Sequence, residues 1–329
     1  MASTELQQVI AAHGPWTAMA IKLPDGSYTR QPAVDHRLKR ILQITADLAR
    51  KPLSECRVLD LACLEGHYGI EFALHGAEVV GIEGRAASVA KCEFVKSELQ
   101  LQRIEFFQDD VRNLSAAKYG EFDVVICSGL LYHLPARDAW RLIQSVYETC
   151  KGLTIIDTFI ALKDQISVEI EGSTYHGHIY PEHGQTDSSQ EKLQKLWASL
   201  DNDSSFWFTE PSLINLLARA GFSSSFDVLT PTMPGNLRDR KTYIAIKGAR
   251  TEILSSEPTN NTTHTDVPEG INPRFDPSQI PRGKVFIAAK RLLPQPVKNA
   301  VKPVLRALKI LPPDTTPSFQ RDEGKEHKA

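Results

Sequence analysis

Two acids, Asp60 and Glu83, close apolar runs twenty-three residues apart. Asp60 follows Val58-Leu59, and Glu83 ends the run Val79-Val-Gly-Ile82. Between them lie a turn of mostly small residues, Ala62-Cys-Leu-Glu-Gly66, and a segment able to start a helix at Gly66. The order strand, tight turn, helix, strand is the first half of a nucleotide-binding α/β sheet. Such a turn turns backbone N–H groups and a helix N-terminus toward a ligand. An acid closing the second strand can accept both hydroxyls of a ribose, which makes Glu83 the candidate ribose ligand.

The residues missing from the turn select the nucleotide. A pyrophosphate loop needs G-x-G-x-x-G so that the backbone can approach two phosphates. Here Ala62 and Leu64 occupy those places and only Gly66 is glycine. Leu64 would crowd a pyrophosphate and Asp60 would repel it. The same acid suits a ligand with an ammonium and a sulfonium, such as S-adenosyl-L-methionine (SAM). The pattern resembles motif I of the class I SAM-dependent methyltransferases, with two glycines replaced. That resemblance implies a doubly wound, mostly parallel seven-stranded sheet of Rossmann-like α/β type, with Asp60, Ala62, Gly66 and Glu83 around the cofactor.

Two later segments extend the likeness. Ile104–Leu114 reads as a third strand ending in an acidic turn, where the resemblance places Asp110 against the adenine amino group and Val111 against the ring. Phe122–Ser128 reads as a buried fourth strand running into Gly129-Leu-Leu-Tyr-His133. The carboxyl end of that strand opens on the ligand crevice, so Ser128, Tyr132 and His133 belong near the transferred methyl. The Leu-Tyr-His exit is also similar to that of the tRNA wobble-uridine carboxymethyl-transferring enzymes, as is Phe206–Leu213 before a last large helix. By that resemblance Tyr132 lines the transfer pocket. Those enzymes need a cation for an extra carboxylate, for which Lys22 and Arg85 are the candidates.

The surrounding elements follow from periodicity. Residues 1–55 form an N-terminal helical flap, with a helix over 34–51 capped by Asp35. Residues 56–249 form the SAM-binding domain, and within them 160–208 break the alternation as a substrate lid. Thr209 caps a helix that Gly221 stops, and two closing strands follow near 225–229 and 241–247. Residues 250–281 read as a polar linker and 312–329 as a disordered tail. Between them, 282–311 carry eight basic residues and no acidic ones. This stretch reads either as a basic amphipathic element meeting a membrane surface or RNA, or as a helix packed on the domain.

Charge and chemistry narrow the class. A net charge of −2 argues against a globally basic nucleic-acid binder. Five cysteines without metal spacing indicate buried thiols and a cytoplasmic, reducing setting. His176, His178, Glu182, His183 and Asp187 could be read as a metal cluster, but carboxylates do not dominate it and pocket histidines are the favoured reading. Methylation of a hydroxyl needs a base near neutral pH, for which His133, His176 and His178 are the candidates. The expected function is O-methylation of a small-molecule or glycan-like acceptor. The rivals are a tRNA modifier and a non-catalytic SAM-binding scaffold.

Overall fold

The computed structural model describes residues 4–184, 186–228 and 239–256. The expected linker, basic segment and tail lie beyond these, apart from the first residues of the linker. In chain order the elements are α1 (Thr4–His13), α2 (His36–Leu48), β1 (Arg57–Leu61), α3 (His67–Leu74), β2 (Glu78–Glu83), α4 (Ala86–Glu98) and β3 (Ile104–Gln108). Then come α5 (Ala116–Tyr119), β4 (Phe122–Ser128), α6 (Ala136–Thr149), β5 (Cys150–Phe159), β6 (Ile166–Ile170), β7 (Ser173–Pro181) and α7 (Ser189–Gln194). The last are β8 (Ser204–Phe208), α8 (Glu210–Ala220), β9 (Ser224–Asp227) and β10 (Arg240–Ile246).

Seven strands form one sheet in the order β3-β2-β1-β4-β5-β10-β9. β1, β2, β3, β4 and β5 are parallel, while β10 runs antiparallel to both β5 and β9. This is the doubly wound arrangement that the resemblance implies, closed by the two last strands paired antiparallel. The continuous apolar runs of β1 and β4 are buried because helices cover both faces of a parallel sheet. Strand order reverses between β1 and β4, so the ligand crevice opens at their carboxyl ends.

Local rules set the helix ends. Asp35 accepts a hydrogen bond from Leu38 N at the start of α2, and Thr209 accepts one from Ser212 N at the start of α8. Gly221, at φ 118°, stops α8 in a left-handed conformation that disfavours a side chain. The N-terminal residues do not stand apart as a flap. Leu6, Trp16, Ile21 and Leu23 join the same core as Val58, Val79 and Val124. A buried pair fastens them: Lys91 Nζ donates to Glu65 at 3.0 Å and to Pro15 O at 2.7 Å, and Glu65 accepts from Thr17 N and Ala18 N. The insert after β5 folds as a small antiparallel sheet, β6-β7-β8, with α7 between β7 and β8 in the chain. All five cysteines are buried.

Candidate active site

β1 delivers Asp60 to the crevice with 3% of its surface exposed. Its Oδ2 accepts from Gly69 N at 2.8 Å in the first turn of α3. Burial pushes this carboxyl up to about 7; the Gly69 bond opposes the rise and the nearby Glu83 charge adds to it. The turn that follows keeps a left-handed backbone, with φ 51° at both Ala62 and Leu64 and 77° at Gly66. Two glycines of the motif are gone, yet their conformation persists, at about 1–2 kcal/mol for each non-glycine residue. Bonds from Cys63 N to Ile82 O (3.1 Å) and from Leu64 N to Glu83 Oε2 (2.9 Å) hold it. Gly66 itself is the N-cap of α3 and packs under the turn rather than lining the cavity.

Glu83 receives a second bond from Arg85 N at 2.8 Å. Each carboxylate oxygen has a lone pair left for a further donor. Burial raises the Glu83 carboxyl above its ordinary value, against the two backbone bonds. Asp60, Ala62, Glu83, Asp110, Val111, Ser128, Tyr132 and His133, all expected at the site from the sequence, border one cavity of about 350 Å³, as does Arg85. Asp110 is engaged already, because Arg112 forks onto its carboxylate at 2.6–3.0 Å and reaches Asp201 at 2.5 Å.

His176 and His178 do not reach the cavity. His176 bonds Asp164 at 2.8 Å, and His178 packs on Trp207 at 4.9 Å between ring centroids. Both lie on β7, whose pairing with β6 and β8 holds them on the small sheet. The other part of the insert covers the crevice instead. Leu196 to Asn202 line the cavity, and Leu200 sits where a Cβ on Gly84, next to Glu83, would meet it at 2.3 Å. Arg85 clamps this strap by donating to Lys195 O and Ala198 O, both at 3.0 Å. Arg85 thus commits its Nη2 to the strap while still lining the cavity, and Lys22 lies outside the cavity.

His133 stands on the short turn after β4, and its Nδ1 lies 3.0 Å from both carboxylate oxygens of Glu182. Burial acts to raise Glu182, but the hydrogen bond and charge of His133, with a bond from Ser199 N, outweigh it and hold the carboxyl below its ordinary value. Glu182 is therefore the ionised partner that fixes the His133 ring. Read from sequence, it belonged to a possible metal cluster. Among the described residues no group of three or more His, Cys, Asp or Glu could hold a metal ion. Arg37 and Arg240, which sequence reasoning did not single out, also line the cavity and share Asp157, at 3.0 Å and 2.7 Å.

Residues 52–199 match the family model described as a methyltransferase domain. Over that span the chain carries a methyltransferase domain, on a sheet of the class I order. The fold is shared with the N-terminal domain of EvdMO1, crystallised with S-adenosylhomocysteine (SAH) and D-fucose: TM-score 0.58, 21% identity, covering 76% of this chain and 98% of that one. An O-antigen chain terminator bifunctional methyltransferase/kinase of Escherichia coli is 28% identical over 131 residues, 40% of this chain and 17% of that protein. A ubiquinone biosynthesis O-methyltransferase of Xanthomonas oryzae pv. oryzae is 27% identical over 137 residues, 40% of this chain and 55% of its own length. The chain thus spans well under two thirds of both curated relatives.

SAM is the cofactor that this fold implies, and the residues present fit it. Glu83 offers lone pairs beside a left-handed turn, Asp60 offers an acid whose ionised form lacks a cation, and Val111 offers an apolar wall.

Proposed function

We propose that the protein methylates a hydroxyl oxygen of a small-molecule or glycan-like acceptor, with His133 as base and Glu182 as its positioning partner. The observation that carries this reading is the bond that joins Glu182 to His133, which itself stands on the wall of the cavity bordered by Asp60 and Glu83. Bound SAM supplies an electrophilic methyl on a sulfonium centre. Glu83 would hold the ribose hydroxyls, and Asp60 would answer the cofactor's positive charge. With Glu182 ionised, the proton of a neutral His133 sits on Nδ1 and leaves Nε2 to accept one from the acceptor hydroxyl. Tyr132, packed edge-on to Phe159 at 4.8 Å, narrows the space beside it and helps exclude water. The relatives support the acceptor class: one is titled an O-methyltransferase of ubiquinone biosynthesis, and EvdMO1 was crystallised with a sugar. The test is SAH release from SAM over a panel of sugars and phenols, repeated with His133→Ala. Turnover should fall about a hundredfold or more while SAH affinity is kept.

A further inference from the structure

We infer that the acceptor is an anion, whose carboxylate or phosphate is taken by Arg240 beside Gly129. The inference rests on the methyl-transfer reading and extends it to the acceptor's charge.

Asp157 lies near the carboxyl end of β5 with 1% of its side chain exposed. One buried carboxylate there serves two guanidiniums. Arg37 Nε reaches it at 3.0 Å, Arg240 Nε at 2.8 Å and Arg240 Nη2 at 2.7 Å, while Thr242 Oγ1 donates at 2.8 Å. The cluster therefore keeps one positive charge in excess, and both arginines line the cavity. Asp35, whose carboxylate caps Leu38 N at 2.9 Å, also lines the cavity two residues from Arg37 and so answers Arg37, whereas the groups acting on Arg240 are Asp157, Tyr132 and Tyr68. Burial lowers His67, which keeps its imidazole neutral, and burial raises Tyr68 and Tyr132, which keeps them phenols that can donate.

The geometry separates Arg240 from Arg37. A Cβ built on Gly129 would stand 3.6 Å from Arg240 Nη2 and 3.8 Å from the Tyr132 hydroxyl. Both donors thus converge just past β4, on the side of the crevice where His133 stands. The Arg240 guanidinium lies 5.3 Å from the Phe159 ring centroid and 5.8 Å from that of Tyr132, so aromatic walls fix its plane. Among the described residues its Nη1 has no protein partner. A planar guanidinium held this way, with one edge on a carboxylate shared with Arg37, its Nη1 left over and a phenol alongside, matches a carboxylate or phosphate.

The test uses the full chain saturated with SAH, followed by calorimetric titration with phenyl phosphate, 4-hydroxybenzoate and the neutral 4-hydroxybenzyl alcohol. At least one anion should bind ten times more tightly than the neutral probe. Arg240→Gln should abolish that preference and Arg240→Lys should keep part of it, with SAH affinity within threefold of wild type in both. Arg240→Lys retains a cation for Asp157, so it keeps the test valid if Arg240→Gln does not fold. Equal binding of anionic and neutral probes, or no anion binding by the SAH-loaded protein, overturns the inference. Loss of SAH affinity in folded Arg240→Lys would give the arginine to the cofactor's own carboxylate and also overturn it. Carboxy-SAM binding ten times more tightly than SAM would move the anion to the donor, with the same consequence. Failure of the wild-type protein to bind SAH at all would instead bring down the methyl-transfer reading beneath it.

Discussion

His133 and Glu182 meet side chain to side chain at 3.0 Å although 49 residues separate them in the chain. One stands at the exit of a parallel strand and the other just past β7, so the insert contributes to the site through a carboxylate rather than through its own histidines. Ser199 N bonds Glu182 at 2.9 Å, and Asn202 donates to His133 O at 3.1 Å, so the strap over the cofactor end also steadies this pair.

Glu182 acts on turnover through His133. Glu182→Gln keeps the shape but removes the charge that favours a proton on Nδ1. The expected result is a kcat lowered about ten- to a hundredfold with SAH affinity unchanged, the scale seen when a partner orienting a functional histidine is removed. Steady-state kinetics beside SAH calorimetry checks it. Equal losses in kcat and SAH affinity would point to general damage instead.

Glu83 does two jobs, and its removal should show both. Glu83→Ala should weaken SAH binding about ten- to a hundredfold through lost charge-assisted bonds. It should also destabilise the ligand-free protein by about 1–3 kcal/mol, because Leu64 N and Arg85 N lose their acceptor in a part-buried place. Denaturant unfolding without ligand separates the second effect from the first.

Asp60 predicts a pH dependence with a definite sign. Its folded value, about 7, lies above the ordinary 3.8, so the ligand-free fold holds its proton more tightly than the unfolded chain does. The stability it contributes is present at low pH and falls as pH rises from the ordinary value to about 7. A cationic ligand favours the ionised form, so SAM should bind with proton release. Affinity should rise by up to about tenfold per pH unit below 7 and level off above it. Calorimetry near pH 7 in buffers of different ionisation enthalpy should detect the released proton, and Asp60→Asn should abolish both trends.

The strap offers an optical readout. Trp197 lines the cavity yet is 66% exposed, on a segment that Arg85 holds through carbonyls on both sides of it. SAH binding should change Trp197 emission, and Arg85→Ala should weaken SAH binding about tenfold by releasing the strap. An emission change that survives Trp197→Phe would come from another tryptophan.

What was legible in the sequence was whatever local periodicity and turn chemistry determine. The β1–α3–β2 unit and the Asp35 and Thr209 caps follow from hydrophobic period and cap residues alone, whereas the antiparallel pairing of the last two strands is what the methyltransferase resemblance implies. The missing glycines at positions 62 and 64 hid less than expected, because Ala62 and Leu64 hold the same left-handed backbone within a bonded turn. Contacts across long loops were not legible. Nothing in the spacing tells that Glu182 meets His133, or that Arg37 and Arg240 share Asp157, because each joins elements far apart in the chain. His176 and His178 misled for the same reason: their position after β5 suggested a lid, but pairing in the small sheet turns them to Asp164 and Trp207.

The most direct test of the central claim is a transfer assay with isotope-labelled methyl on SAM and an extract of the source cells, read by mass spectrometry. The account predicts a labelled product bearing the methyl on oxygen, formed one for one with SAH and nearly absent with His133→Ala. Labelled nitrogen or carbon, or a full yield of O-methyl product from the His133→Ala protein, would contradict it.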